Sequence, residues 1–284
     1  MEYQPHDPPT HAWLGTPIDA RPLFAPEHAA LMATLRDLAP ADWNRQAVPG
    51  WSVRDLAAHV LGDCYGRLGR RDGHTEGPSP APGEPLEAFI HRTNQEWVDA
   101  LSRVSPAALV DTLDLVGAHT ARFFETTDPH APSLGVSWAG ADPSPMWLDS
   151  ARELTEYWTH RQQIRHAAGQ ETDHGPRLLS VVLDTFLRAL PHTLREVDAP
   201  PGTQIRTRVA GPAGGAWTAT ATDAGWSLAE PDTGQPATTV HLDPETTWRL
   251  CTRGIEPARA LALARVDGDP ALAEAACQIV SIIH

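Results

Sequence analysis

Lysine does not occur in this chain: all 22 basic residues are arginine. That excludes chemistry needing a side-chain amine, such as Schiff-base formation or the lysine of a phosphate-binding loop. Cysteine is scarce, with Cys64, Cys251 and Cys277 far apart, so no disulfide framework is indicated and a reducing cytoplasm is the expected setting. Positive charge is short as well. With 36 acidic residues and a net charge of -14, the chain has no basic stripe for a nucleic-acid backbone. No apolar run approaches about eighteen residues, and the opening MEYQPHDPPTHAW lacks the basic and apolar regions of a signal peptide. Neither a membrane span nor secretion is expected. G-x-S-x-G, a glycine-rich phosphate loop and C-x-x-C are all missing, which sets aside the common hydrolase, nucleotide and dithiol readings.

What is present suggests two domains. A chain of 284 residues, 41% hydrophobic, is long enough for two cores. Residues 1–20, rich in Pro and His and without periodicity, read as an arm. Helical spacing follows from Ala25 to Leu38, then from a Ser52/Asp55 capping box through Val53, Leu56, Val60 and Leu61. Further helices are expected from Leu86 to Val104 and from Pro106 to Phe124, with Ser105 as a cap. Trp51, Trp97, Trp147 and Trp158 are expected in the core. Residues 73–85 are a loop by composition, and residues 127–145 have no periodicity, a length of loop that often lines a site. After residue 170 the texture changes. A helix from Arg177 to Val197 precedes four segments of period two, TQIRTRVAG, AWTATATDA, GWSLAEP and ATTVHLD, separated by turns. Helical stretches PETTWRLCTRG, PARALALAR and DPALAEAACQIVSII close the chain. The expected fold is therefore α plus α+β, a helical bundle over 21–170 followed by a small antiparallel-sheet α+β domain over 175–284.

The chemistry centres on PMWLDSARELTEYWTHRQQIRHAA, one helix from Pro145 to Ala168 that no Pro or Gly interrupts, with Asp149 or Ser150 available to its first turn. Glu156 and His160 are four apart and share a face. A carboxylate and an imidazole so placed can bite one divalent ion, and His59 is the candidate for a third donor. Two imidazoles and a carboxylate are the ligands of catalytic zinc and its relatives, and three protein ligands leave a position open. The same residues could form a salt-bridged helix face beside a core-edge histidine, and the residues alone leave both readings open. Asp63, one turn after His59, could orient its imidazole.

The order ADWNRQAVPGWSVRDLAAHVLG, then ELTEYWTHRQQIRHAAG, resembles the mycothiol-dependent maleylpyruvate isomerase family over about residues 20–170. The final strands and helices resemble that family's sterol-carrier-like domain. The resemblance implies a DinB-like four-helix bundle, a divalent metal, usually zinc, on His59, Glu156 and His160, and mycothiol as thiol cosubstrate. It also implies an assisting arginine in the C-terminal domain, for which Arg253 is the match. The expected partners are mycothiol and a small electrophile, with cis-trans isomerisation as the reaction. The alternatives are S-transfer from mycothiol to another electrophile, or non-catalytic binding of a small molecule or lipid.

Overall fold

The computed structural model describes residues 11–74 and 76–282. These divide into two compact units, one of residues 20–127 and 153–174, the other of residues 11–19, 128–152 and 175–282. The segment 128–152 thus groups with the C-terminal residues rather than with its neighbours in sequence.

The first unit is helical. Helix α1 (Phe24–Arg36) leads to a short hairpin, β1 (Gln46–Val48) with β2 (Trp51–Ser52), and then to α2 (Val53–Leu68), α3 (Leu86–Ala100) and α4 (Pro106–Thr126). Helix α5 (Met146–Ala167) spans the division between the units. Ser52 and Asp55 form the capping box, each satisfying a first-turn N–H of the other, so α2 starts where the sequence places it. Ser105 caps α4 through the Ala108 N–H, with Pro106 as the first helical residue. The core lies among α1, α2, α4 and α5. Phe24 stacks on Phe124 with ring centroids 4.2 Å apart, and Tyr157 meets Phe24 edge-on at 6.2 Å. Leu31, Leu35, Leu56, Leu61, Leu113 and Trp158 are fully buried around them. A buried ion pair crosses this core: Arg161 donates to both Glu27 oxygens at 2.6 and 2.9 Å and to Asp173 at 2.9 Å.

Helix α3 is peripheral. Val98 is its buried residue, and it packs on α2 where Gly62 leaves room for Trp97. Trp97 stacks on Tyr65 and is only half-buried, as is Trp51, whose Nε1 donates to Gln95 at 2.9 Å. Those two tryptophans cover the bundle's flank instead of filling its core; Trp147 and Trp158 are buried.

The second unit holds a two-residue ladder, β3 (Pro132–Ser133) with β4 (Ser144–Pro145), then α6 (Pro176–Leu187) and α7 (Leu190–Thr193). Strands β5 (Gln204–Val209), β6 (Gly215–Thr222), β7 (Gly225–Ser227), β8 (Thr238–Leu242) and β9 (Arg265–Gly268) form one sheet, interleaved with α8 (Pro244–Cys251), α9 (Pro257–Leu263) and α10 (Pro270–Ala276). The strand order is β7-β6-β5-β8-β9, antiparallel throughout except for the parallel pair β5–β8. Leu179, Val182, Leu183 and Phe186 give α6 its buried stripe. The space lined by Leu187, Leu190, Val240, Leu250 and Cys251 is about 10 Å³, room for one water at most. Within the expected arm, residues 1–10 lie outside the described residues, while Leu14 and Ile18 are buried and the Arg188 guanidinium donates to the Leu14 carbonyl. No helix among the described residues is long and apolar enough to cross a membrane.

Candidate metal centre

Helix α2 carries His59 and α5 carries Glu156 and His160, 97 or more residues further along the chain. Their side chains converge. His59 Nε2 lies 3.1 Å from His160 Nε2, the rings meeting edge-on with centroids 4.8 Å apart. Glu156 Oε2 stands 3.5 Å from His160 Nε2, and Asp63 Oδ2 stands 3.5 Å from His59 Nε2. Zinc–nitrogen bonds of about 2.0–2.1 Å put two donors on one tetrahedral centre roughly 3.3–3.4 Å apart. The His59–His160, Asp63–His59 and Glu156–His160 spacings are each close to that value, while Glu156 is not within 4.8 Å of all the other donors. Among the described residues, the three whose donor atoms all lie within 4.8 Å of one another are His59, Asp63 and His160.

The surroundings set the protonation of these groups. Burial pushes His59 down to about 3, His160 beside it adds to the shift, and Glu156 opposes it. A neutral imidazole is the form that ligates a metal. Burial also works against charge on His160, but its hydrogen bond to Glu156 and that carboxylate's charge hold its pKa above the ordinary value. His160 Nδ1 pairs with Gln163 Oε1 at 2.8 Å. With Nδ1–H donating there, a neutral His160 would present its Nε2 lone pair to a cation at the cluster, whereas in its protonated form Nε2–H faces Glu156. The sequence holds a signal for this, a glutamine three residues after the histidine on a helix, but its role emerges only from the contact. Trp51 lies over His59 with ring centroids 5.0 Å apart.

Behind the cluster runs a second polar layer. Arg67 donates to Glu153 Oε2 at 2.7 Å, and Tyr157 donates to Glu153 Oε1 at 2.8 Å. Cys64 Sγ is 3.7 Å from the Tyr157 hydroxyl, and burial pushes its thiol up to about 12. It is a packed thiol, not a nucleophile.

Arg253, in the other unit, follows α8 with φ at 54° in the left-handed region. Its Nη2 donates to the Gln278 carbonyl at 2.8 Å, while Nη1 is buried with no partner among the described residues. The stretch 127–145 does line a cleft, of about 340 Å³, with His130, Ser144 and, from outside the stretch, His11 and Trp147 among its walls.

A helical bundle with imidazoles and carboxylates converging from facing helices belongs to the class in which metal sites are built inside the bundle. The model of the mycothiol maleylpyruvate isomerase N-terminal domain matches residues 24–165, and the chain belongs to that family. Among solved structures it is similar to the mycothiol-dependent maleylpyruvate isomerase, at 15% identity and a TM-score of 0.50, over 81% of this chain and 86% of that one. A single-residue mutant of that isomerase is similar at 14% identity and a TM-score of 0.48, with the same coverage. These likenesses concern the fold. No curated protein matches the chain.

Proposed function

We propose that this chain is a metal-dependent enzyme that activates mycothiol for addition to a small electrophile, with cis-trans isomerisation of a maleylpyruvate-like keto-acid as its reaction. The observation that carries the reading is the 3.1 Å approach of His59 Nε2 to His160 Nε2, two nitrogens that cannot both keep a proton there and that each have a carboxylate oxygen 3.5 Å away. The family membership supports mycothiol as the thiol. His59, Glu156 and His160 would hold the metal, a divalent ion of zinc's preferences. Such an ion, when bound, lowers a thiol's pKa so that thiolate is available at neutral pH.

The chain's own side chains do the rest. Gln163 keeps the proton of His160 on Nδ1, so the opposite nitrogen stays a donor to the cation. Trp51 packs against the His59 ring, the centroids 5.0 Å apart and the planes tilted by 41°. The mycothiol thiolate adds to one carbon of the substrate's cis double bond, the π electrons pass to the conjugated carbonyl as an enolate, the resulting single bond turns, and collapse of the enolate expels the thiolate to give the trans isomer. For Arg253 we propose the steadying of a carboxylate or enolate oxygen.

The test is elemental analysis of the full chain together with mycothiol-dependent turnover of maleylpyruvate. Wild type should carry one divalent ion and turn over. His59→Ala and Glu156→Gln should lose both. A His59→Ala protein retaining metal and turnover removes the proposal, and wild-type metal with S-alkylated mycothiol as product moves it to transferase chemistry.

A further inference from the structure

The cluster contains one carboxylate more than the ligand set just named. Asp63 is one helical turn beyond His59, and its Oδ2 is 3.5 Å from His59 Nε2. Its carboxylate, not that of Glu156, completes the group whose donors lie mutually within 4.8 Å. Glu156, 3.5 Å from His160 Nε2, lies outside that group and would close on the cation from α5.

Charge supplies an independent reason. Three carboxylates, Asp63, Glu153 and Glu156, act on one another here, and the guanidinium among them is Arg67, which bonds to Glu153. The Asp63 side chain is about a quarter exposed and that of Glu156 about a fifth, at 26% and 19%. Carboxylates drawn out of water need a cation. With Glu153 bound to Arg67, Asp63 and Glu156 are the two carboxylates that stand beside the imidazoles. A surface aspartate making a passing helical contact would turn to solvent instead.

We propose that Asp63 is itself a ligand, so that the resting site has four protein donors: His59 and Asp63 from α2, Glu156 and His160 from α5. This rests on the proposed function only in requiring that a cation binds at the cluster. Four protein donors fill a tetrahedral zinc, whereas catalytic sites commonly keep three and a water.

The test uses the full chain, stripped of metal and reloaded with Co(II), whose visible absorption reports donor number and type. Wild type, Asp63→Ala, the isosteric Asp63→Asn and Glu156→Gln are compared, with circular dichroism establishing that each is folded. The expected result is one Co(II) per wild-type chain. Either Asp63 variant should change the visible bands and lower Co(II) affinity by more than the roughly 10–100-fold typical of an outer partner of a ligand. Unchanged bands in the Asp63 variants, whatever the affinity, overturn the inference while leaving the metal centre intact. Failure of wild type to bind Co(II) overturns both this inference and the proposed function.

Discussion

Arg161→Met should destabilise the helical unit by about 3–5 kcal/mol, the range for removing one partner of a buried ion pair. Arg161 is 2% exposed and Glu27 fully buried, and two of the guanidinium's bonds end on Glu27. The substitution leaves that carboxylate in the core with no cation, while Asp173, 38% exposed, can turn to water. At a urea slope of about 2 kcal/mol/M, the midpoint should fall by roughly 1.5–2.5 M. Full-chain unfolding followed by circular dichroism reads the loss, and hydrogen exchange localises it to α1 and α5. The loss should also depend on pH. Burial pushes Glu27 up to about 7 even with Arg161 pulling it down. Without Arg161 the folded value rises further, so the folded state binds the proton more tightly than the unfolded chain. The variant's extra cost relative to wild type is therefore smallest below the wild-type folded value of about 7 and grows by about 1.4 kcal/mol per pH unit above it, up to the variant's own higher folded value. The variant should be nearer to wild type at pH 5 than at pH 8. Adding Glu27→Leu should recover part of the loss, because replacing both charges by apolar groups removes the stranded carboxylate. A single-variant cost below about 1 kcal/mol at pH 8, a cost independent of pH, or a double variant no better than the single one refutes this account of the pair.

Gly62→Ala pits helix propensity against packing. The new Cβ would lie 2.6 Å from Trp97 Cγ and 2.9 Å from Trp97 Cβ, the fixed root of that side chain. Overpacking of about 1–3 kcal/mol outweighs a gain of roughly 1 kcal/mol in propensity, so the melting temperature should fall; a rise would show that α3 yields freely. Asp243 caps α8, accepting from the Thr246 N–H at 2.8 Å and its hydroxyl at 2.6 Å. Asp243→Ala should cost about 0.5–2 kcal/mol. Burial opposes the charge of Asp243, but the Thr246 bonds hold its pKa below the ordinary value. The cap's contribution is thus present above the ordinary carboxylate range and lost as pH falls through the folded value. Wild type and Asp243→Ala should converge in urea midpoint under acid, and a constant gap would refute the charged cap.

Local signals were the legible ones. The Ser52/Asp55 box, Pro106 after Ser105 and the unbroken run after Pro145 each act within a turn or two, and their helices begin where those residues stand. The α plus α+β class followed from the change of period near residue 170. Long-range partners left no such trace. Strand β9, which begins at the last residue of PARALALAR, was not read because only its pairing with β8 makes it a strand, and the parallel pairing of β5 with β8 has no signature in either segment. Leu14 and Ile18 looked like part of an arm because three-residue helices have no period to detect. At the site, His59, Glu156 and His160 were legible as residue types at a spacing. Asp63 read as a partner of His59 along one helix, whereas its distance to the donor of another helix is a tertiary fact.

The three cysteines have a consequence for the proposed chemistry. All are buried, and burial raises their pKa values to about 12, 12 and 11 for Cys64, Cys251 and Cys277. A catalyst that borrows its sulfur from a diffusible molecule must not offer rival sulfur of its own, either to the cation or to the electrophile. Here the resident thiols are kept protonated and out of reach, so alkylating reagents at neutral pH should find little to modify and the borrowed nucleophile works without competition.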